Sequence, residues 1–208
     1  MSNLSLSDFS SFTLFPGQHW SHTWERQHEL VTRFAKLLEG KVISVCSPLG
    51  LINHNPFSLN FFQKIRTYNK LQVKIINQNP ILDNMKMCNL RHIPFHLSMI
   101  GKINYALMKH GMGMTNNNFF WSTYMNPTIY EFFKRSSFKI YDIAERRSTN
   151  PLLNEKIRAW ERKAVREADL VIVDNHVTME DYRNLNPRIQ YIPQGVNLET
   201  FFKSESST

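Results

Sequence analysis

Apolar positions follow two rhythms along this chain. Leu30, Val31, Phe34, Leu37 and Leu38 recur at the spacing of one helical face, which predicts an amphipathic helix. The runs on either side are continuous instead: Phe12 to Phe15, stopped by Pro16-Gly17, and Val42 to Cys46. Short unbroken apolar runs between turn residues are the mark of buried strands. Ser21 or Thr23 can accept a hydrogen bond from the helix's first free amides, and Gly40 can take the left-handed stop. Strand, helix and strand with short connections form a βαβ unit. That unit requires parallel strands with helices on the sheet faces.

The alternation continues. Val73 to Ile76 is apolar and β-branched and predicts a strand. Between Pro94 and His110, Ile100, Ile103 and Leu107 have helical spacing, so their stripe should pack on the sheet; Gly111 and Gly113 end the helix. A short strand is expected at Phe119 to Trp121, then a helix capped by Asn126 with Pro127 at its first position. Phe138 to Ile143 reads as a strand. Leu153, Ile157, Trp160 and Ala164 give the next helix one apolar stripe. A buried strand starts at Leu170, Asp174-Asn175 caps a short helix over 178–183, and the last strand lies in "IQYIP". The pattern predicts a single doubly wound, Rossmann-like α/β domain over 12–202 with a mainly parallel sheet. A flexible N-terminus, 1–11, precedes it, and 203–208 is a tail at the start of an interdomain linker.

Composition narrows the function classes. Of 208 residues, 42% are hydrophobic, enough for a core. The net charge of +8 favours anionic partners: phosphorylated ligands, an acidic membrane face or nucleic acid. Nucleic acid is not expected, because there is no helix of clustered Arg and Lys and no aromatic-rich RNA motif. The two cysteines, Cys46 and Cys88, form no zinc-type spacing, and no metal site is expected. Cys46 reads as a small core residue in a reducing compartment. The start of the chain lacks a basic, apolar leader, and no run is long enough to span a bilayer. A cytoplasmic protein, soluble or peripheral on the inner face of the membrane, is expected.

In an open α/β sheet, ligands bind beyond the carboxyl ends of the strands. After the first predicted strand come His19, His22, Arg26, Gln27 and His28 with Trp20 and Trp24. Aromatic faces beside hydrogen-bonding groups suit a sugar or phosphate, although a solvated loop over a packed Trp24 would look the same. No GxGxxG dinucleotide fingerprint is present. After Tyr141 come Asp142 and Glu145, carboxylates able to serve as a general base, and Arg146-Arg147, able to hold a phosphate. An exposed charged turn is the alternative for residues 145–147.

The order of "WERQHEL", "FFWST" with the following Asn126-Pro127, "KIYDIAE", "AVREADLVIVDN" and "YIPQGVNLETFF" resembles the N-terminal half of a GT-B-type glycosyltransferase. The similar branch builds bacterial exopolysaccharides and includes xanthan glucuronosyltransferase. The resemblance runs from about Phe12 to Phe202. It implies an acceptor-binding domain for a saccharide or lipid-linked saccharide, with no cofactor of its own. It also implies a nucleotide-sugar donor held by a second, C-terminal domain or subunit, expected after this chain, so that the chain alone is inactive. Glu145 matches the family's catalytic base, as a Glu where the relative has Asp, with Asp142 and His19 as alternatives. His19, Trp20, Arg26, Gln27 and Arg146 would bind acceptor, and Gly195 would mark the interdomain hinge. Gln194 and Asn197 depart from the family's usual Asn and Asp there. The alternative function is a non-catalytic saccharide- or partner-binding module of the same fold. Lipid-linked acceptors also imply an anionic membrane surface as a partner. The mix of apolar residues with Arg91, Lys102 and Lys109 between 91 and 109 suits one.

Overall fold

A computed structural model of the protein describes residues 5–16, 26–38, 40–46, 82–88, 98–143 and 155–193. Among these, seven strands form one sheet: β1 (Ser11–Phe15), β2 (Ile43–Cys46), β3 (Met85–Cys88), β4 (Asn118–Ser122), β5 (Phe138–Ile143), β6 (Leu170–Val173) and β7 (Ile189–Tyr191). The helices are α1 (Arg26–Leu37), α2 (Ser98–Met108), α3 (Pro127–Phe133), α4 (Glu155–Glu167) and α5 (His176–Arg183). The order across the sheet is β3-β2-β1-β4-β5-β6-β7, and every neighbouring pair is parallel. This is the expected α/β, Rossmann-like domain.

Strand alternation divides the core into two layers. On one face Phe12, Leu14, Ile43, Val45, Phe119 and Trp121 pack with Val31, Ala35 and Leu38 of α1. Ring contacts run through this layer, with Phe34 stacked on Phe119 at 5.2 Å and Phe119 on Phe138 at 5.7 Å. On the other face Phe15, Phe120, Tyr141 and Val171 pack with Met108 of α2, Phe132 and Phe133 of α3 and Ala164 of α4. Each large apolar side chain fully removed from water contributes roughly 1.5–3 kcal/mol, so these layers dominate the stability.

One predicted helix face holds and one is turned. In α1 Val31 and Leu38 are buried and Leu30 and Phe34 pack against the core as expected, joined by His28 and Ala35, while Leu37 is 77% exposed. In α2 the expected stripe does not pack on the sheet. Met99, Ile103 and Leu107 face solvent, and Gly101, Asn104 and Met108 are buried against α3. The reason is close approach: α2 meets the backbone of α3, and only a small residue and a hydrogen-bonded one fit there. Asn104 Nδ2 donates to Thr128 Oγ1 at 2.9 Å.

Part of the expected flexible N-terminus is tied down. Ser5 caps a short 3-10 turn at Leu6–Asp8, and Phe9 is buried between Phe12, Phe119 and Phe138. Asn126 and Asn175 cap α3 and α5 as expected, and Gly40 takes its stop with φ +79°. The expected strand at Val73 to Ile76 lies outside the described residues. β3 was not foreseen.

Candidate functional site

Consecutive connections leave β1 and β4 on opposite faces of the sheet. β1 leads through α1, on one face, to β2. β4 leads through α3, on the other, to β5. The carboxyl ends of β1 and β4 therefore have no helix crossing between them, and such a switch point is where open α/β sheets bind ligands. The strands run one residue past their ladder here, since Thr123 N donates to Phe15 O at 3.1 Å.

A small cleft opens at this point, with about 10 Å³ of free space, room for about one water as it stands. Leu14, Phe15 and Pro16 of the first strand end form one wall, and Trp121 and Thr123 form the other. Gln27 and Val31 of α1 close it. The lining is apolar with two polar groups at the rim. Thr123 Oγ1 donates to Gln27 Oε1 at 3.5 Å, a long bond that a ligand hydroxyl could replace. The indole N–H of Trp121 is buried and meets no acceptor among the described residues. An aromatic side chain beside a carboxamide and a hydroxyl is the chemistry that a sugar ring uses, and with Trp121 only 8% exposed the cleft has to widen to admit one.

Gln27, expected to bind acceptor, thus lies in the cleft. Arg26 opens α1 beside it. His28, one residue on, is fully buried and engaged with its surroundings rather than facing the cleft mouth. Asp142 is the penultimate residue of β5, on the same face of the sheet as Trp121. It too is fully buried and engaged, so as it stands it holds structure and has no open path to an incoming hydroxyl. His19, Trp20, Glu145, Arg146 and Gly195 lie outside the described residues. Thr123 and Trp121 were not singled out from sequence. Their signal lies in "FFWST", which places a Thr directly after a strand.

No cluster of three or more His, Cys, Asp or Glu able to hold a metal occurs among the described residues. None of their helices is long and apolar enough to cross a membrane. Neither protein-family models nor characterised protein sequences give a significant match to this chain.

Proposed function

We propose that this domain binds the acceptor of a nucleotide-sugar-dependent glycosyltransferase, a saccharide or lipid-linked saccharide in polysaccharide or glycoconjugate synthesis. The observation that carries this reading is the cleft at the β1–β4 switch point, which sets an indole wall beside Gln27 and Thr123. The order of motifs from Phe12 to Phe202 supports it. The donor nucleotide sugar is bound outside this domain. Glu145, two residues beyond the end of β5, is the general base for the acceptor hydroxyl if transfer inverts configuration.

The exposed face of α2 favours work at a membrane surface. Met99 and Leu107 are 66% and 67% exposed, Ile103 lies between them, and Lys102 is exposed on the same helix. Apolar side chains flanked by cations suit an anionic interface, and each cation contributes on the order of 1 kcal/mol there.

The test is acceptor binding by the 208-residue chain, followed calorimetrically with short oligosaccharides and with a lipid-pyrophosphate-linked sugar. Saturable binding should weaken about tenfold or more in Gln27→Ala and in Thr123→Val, while UDP- and GDP-sugars bind far more weakly. Nucleotide-sugar binding at this cleft in preference to saccharide would overturn the reading. With a donor domain supplied, Glu145→Gln should lower turnover roughly 10²–10⁴-fold, the range for loss of a positioned base. Saccharide binding with no turnover under those conditions would favour the non-catalytic module.

A further inference from the structure

The two cysteines of the chain are register partners. Cys46 ends β2, Cys88 ends β3, and they stand opposite each other in the parallel ladder. Both belong to the core layer that packs under α2, so their side chains leave the sheet on the same side. Cys88 Sγ donates to the carbonyls of Lys86 at 3.7 Å and Gly111 at 4.0 Å. β3 is the edge strand of the described sheet, with a strand on one side only.

We propose that Cys46 and Cys88 form a redox modification site, a dithiol that a peroxide converts reversibly into an intrachain disulfide fastening edge strand β3 to β2. Adjacent strands lie about 4.7–4.9 Å apart, within the roughly 4.4–6.8 Å that disulfides span between Cα atoms. Side chains of a parallel pair keep near that spacing, wider than the ~3.8 Å mean between the Cβ atoms of a relaxed disulfide. The bridge therefore forms under tension, which makes it easier to reduce again. An edge strand can move inward to meet it more readily than a strand held on both sides.

The two thiols are unequal in a way that assigns their parts. The neighbouring Cys46 thiol brings the Cys88 thiol down to about 7 against the opposing effect of its burial, with help from Ser44 and the Lys86 charge. Burial pushes Cys46 well up, and the neighbouring Cys88 adds to this. Cys88 is thus the attacking thiolate. Its sulfur bonds to one peroxide oxygen, the O–O bond breaks, and the departing hydroxide takes up a proton to become water. Cys46 sulfur then attacks the resulting sulfenic acid. The S–S bond forms as the S–O bond breaks, and hydroxide leaves with the Cys46 proton as a second water. Two thiols lose two electrons and the peroxide gains them. Cys88 is 5% exposed and Cys46 not at all, so the order of attack matches the order of access. The proposal does not rest on the glycosyltransferase reading.

The experiment treats the folded, reduced chain with a few equivalents of hydrogen peroxide, then counts thiols in denaturant and maps peptides by mass spectrometry. Because there are only two cysteines, the expected result is unambiguous. Free thiols fall from two to none, the monomer loses 2 Da on the order of one disulfide, and dithiothreitol restores both thiols. Cys88→Ser should leave Cys46 free, and Cys46→Ser should carry oxidation at Cys88 without a bridge. Alkylation of Cys88 in the native chain should rise with pH around 7 and shift upward in Cys46→Ser, a readout independent of disulfide formation. Survival of both thiols, a bridge between chains, or over-oxidation of Cys88 beside a free Cys46 would each overturn the proposal.

Discussion

Gly101 of α2 rests against the carbonyl of Pro127 at the start of α3. A Cβ placed on Gly101 would come within 2.5 Å of that oxygen. The obstacle is backbone, and every residue of α3 is buried, so it cannot swing aside. Gly101→Ala should therefore separate the two helices and weaken the Asn104–Thr128 bond. A cost of about 1–3 kcal/mol is expected, as for other overpacked sites. Urea denaturation checks it, and an unchanged midpoint would mean the contact yields freely.

Asn118 ties β1 to β4 from inside the sheet. Its Oδ1 accepts from Ser11 Oγ at 2.7 Å and Thr13 Oγ1 at 3.1 Å, and its Nδ2 donates to Ser136 Oγ at 3.0 Å. Asn118→Ala removes the shared partner of three groups. Ser11 and Ser136 keep bonds to Thr115 and to the Phe132 carbonyl, so the expected loss, on the order of 1–3 kcal/mol, falls mainly on the Thr13 hydroxyl left buried and unbonded. Thr13→Val should cost less, because it takes away a donor and leaves Asn118 its bond from Ser11. A larger loss in Thr13→Val than in Asn118→Ala would contradict this ranking.

Glu131 sets an acid limit on stability. Burial works against its charge, but hydrogen bonds from Lys134 and Arg135 and their positive charges outweigh it and hold the carboxyl below its ordinary value of 4.5. A carboxyl depressed in the folded state contributes stability that is fully present above the unfolded value and lost as pH falls through the folded one. Chemical denaturation at stepped pH should therefore show stability declining below about 4.5, and less steeply in Glu131→Gln. Parallel curves for the two proteins would remove Glu131 as a cause.

The α2 face should bind vesicles containing anionic lipid and release them as salt rises through the screening range of about 0.1 M and above. Lys102→Glu with Lys109→Glu should weaken binding at least severalfold, as should Leu107→Ser, with the fold unchanged by circular dichroism. Equal binding to neutral vesicles, or none to anionic ones at low salt, would count against a membrane role for this face.

Elements whose local signals agree with their surroundings were legible in sequence. Phe138–Ile143 appears at its expected bounds, and the Asn126 and Asn175 caps follow from the need to satisfy first-turn amides. β3 escaped because Met85-Lys86-Met87-Cys88 has no β-branched residue. It is a strand through its ladder to β2, which no local window contains. The face of α2 was misread because apolar spacing reports a stripe without saying what it meets; Gly101 and Asn104, both poor hydrophobes, mark the real contact. Of the candidate site, Gln27 was legible from its place after a strand. Thr123 was not, because its role depends on β4 lying next to β1, and that adjacency is a property of the topology alone.

The same adjacency has a consequence for synthesis. Ser11 pairs with Asn118, 107 residues later, so β1, inside the described sheet, is made long before one of its two neighbours. β1 can dock on β2 early, but its other edge stays unpaired until β4 has been made. A nascent chain at that stage presents Phe12, Leu14 and Phe15 along an open strand, the kind of edge that captures other chains. Pairings this remote in sequence also close slowly. Until β4 has been translated that edge stays open, and a pause just before Asn118 would lengthen the interval.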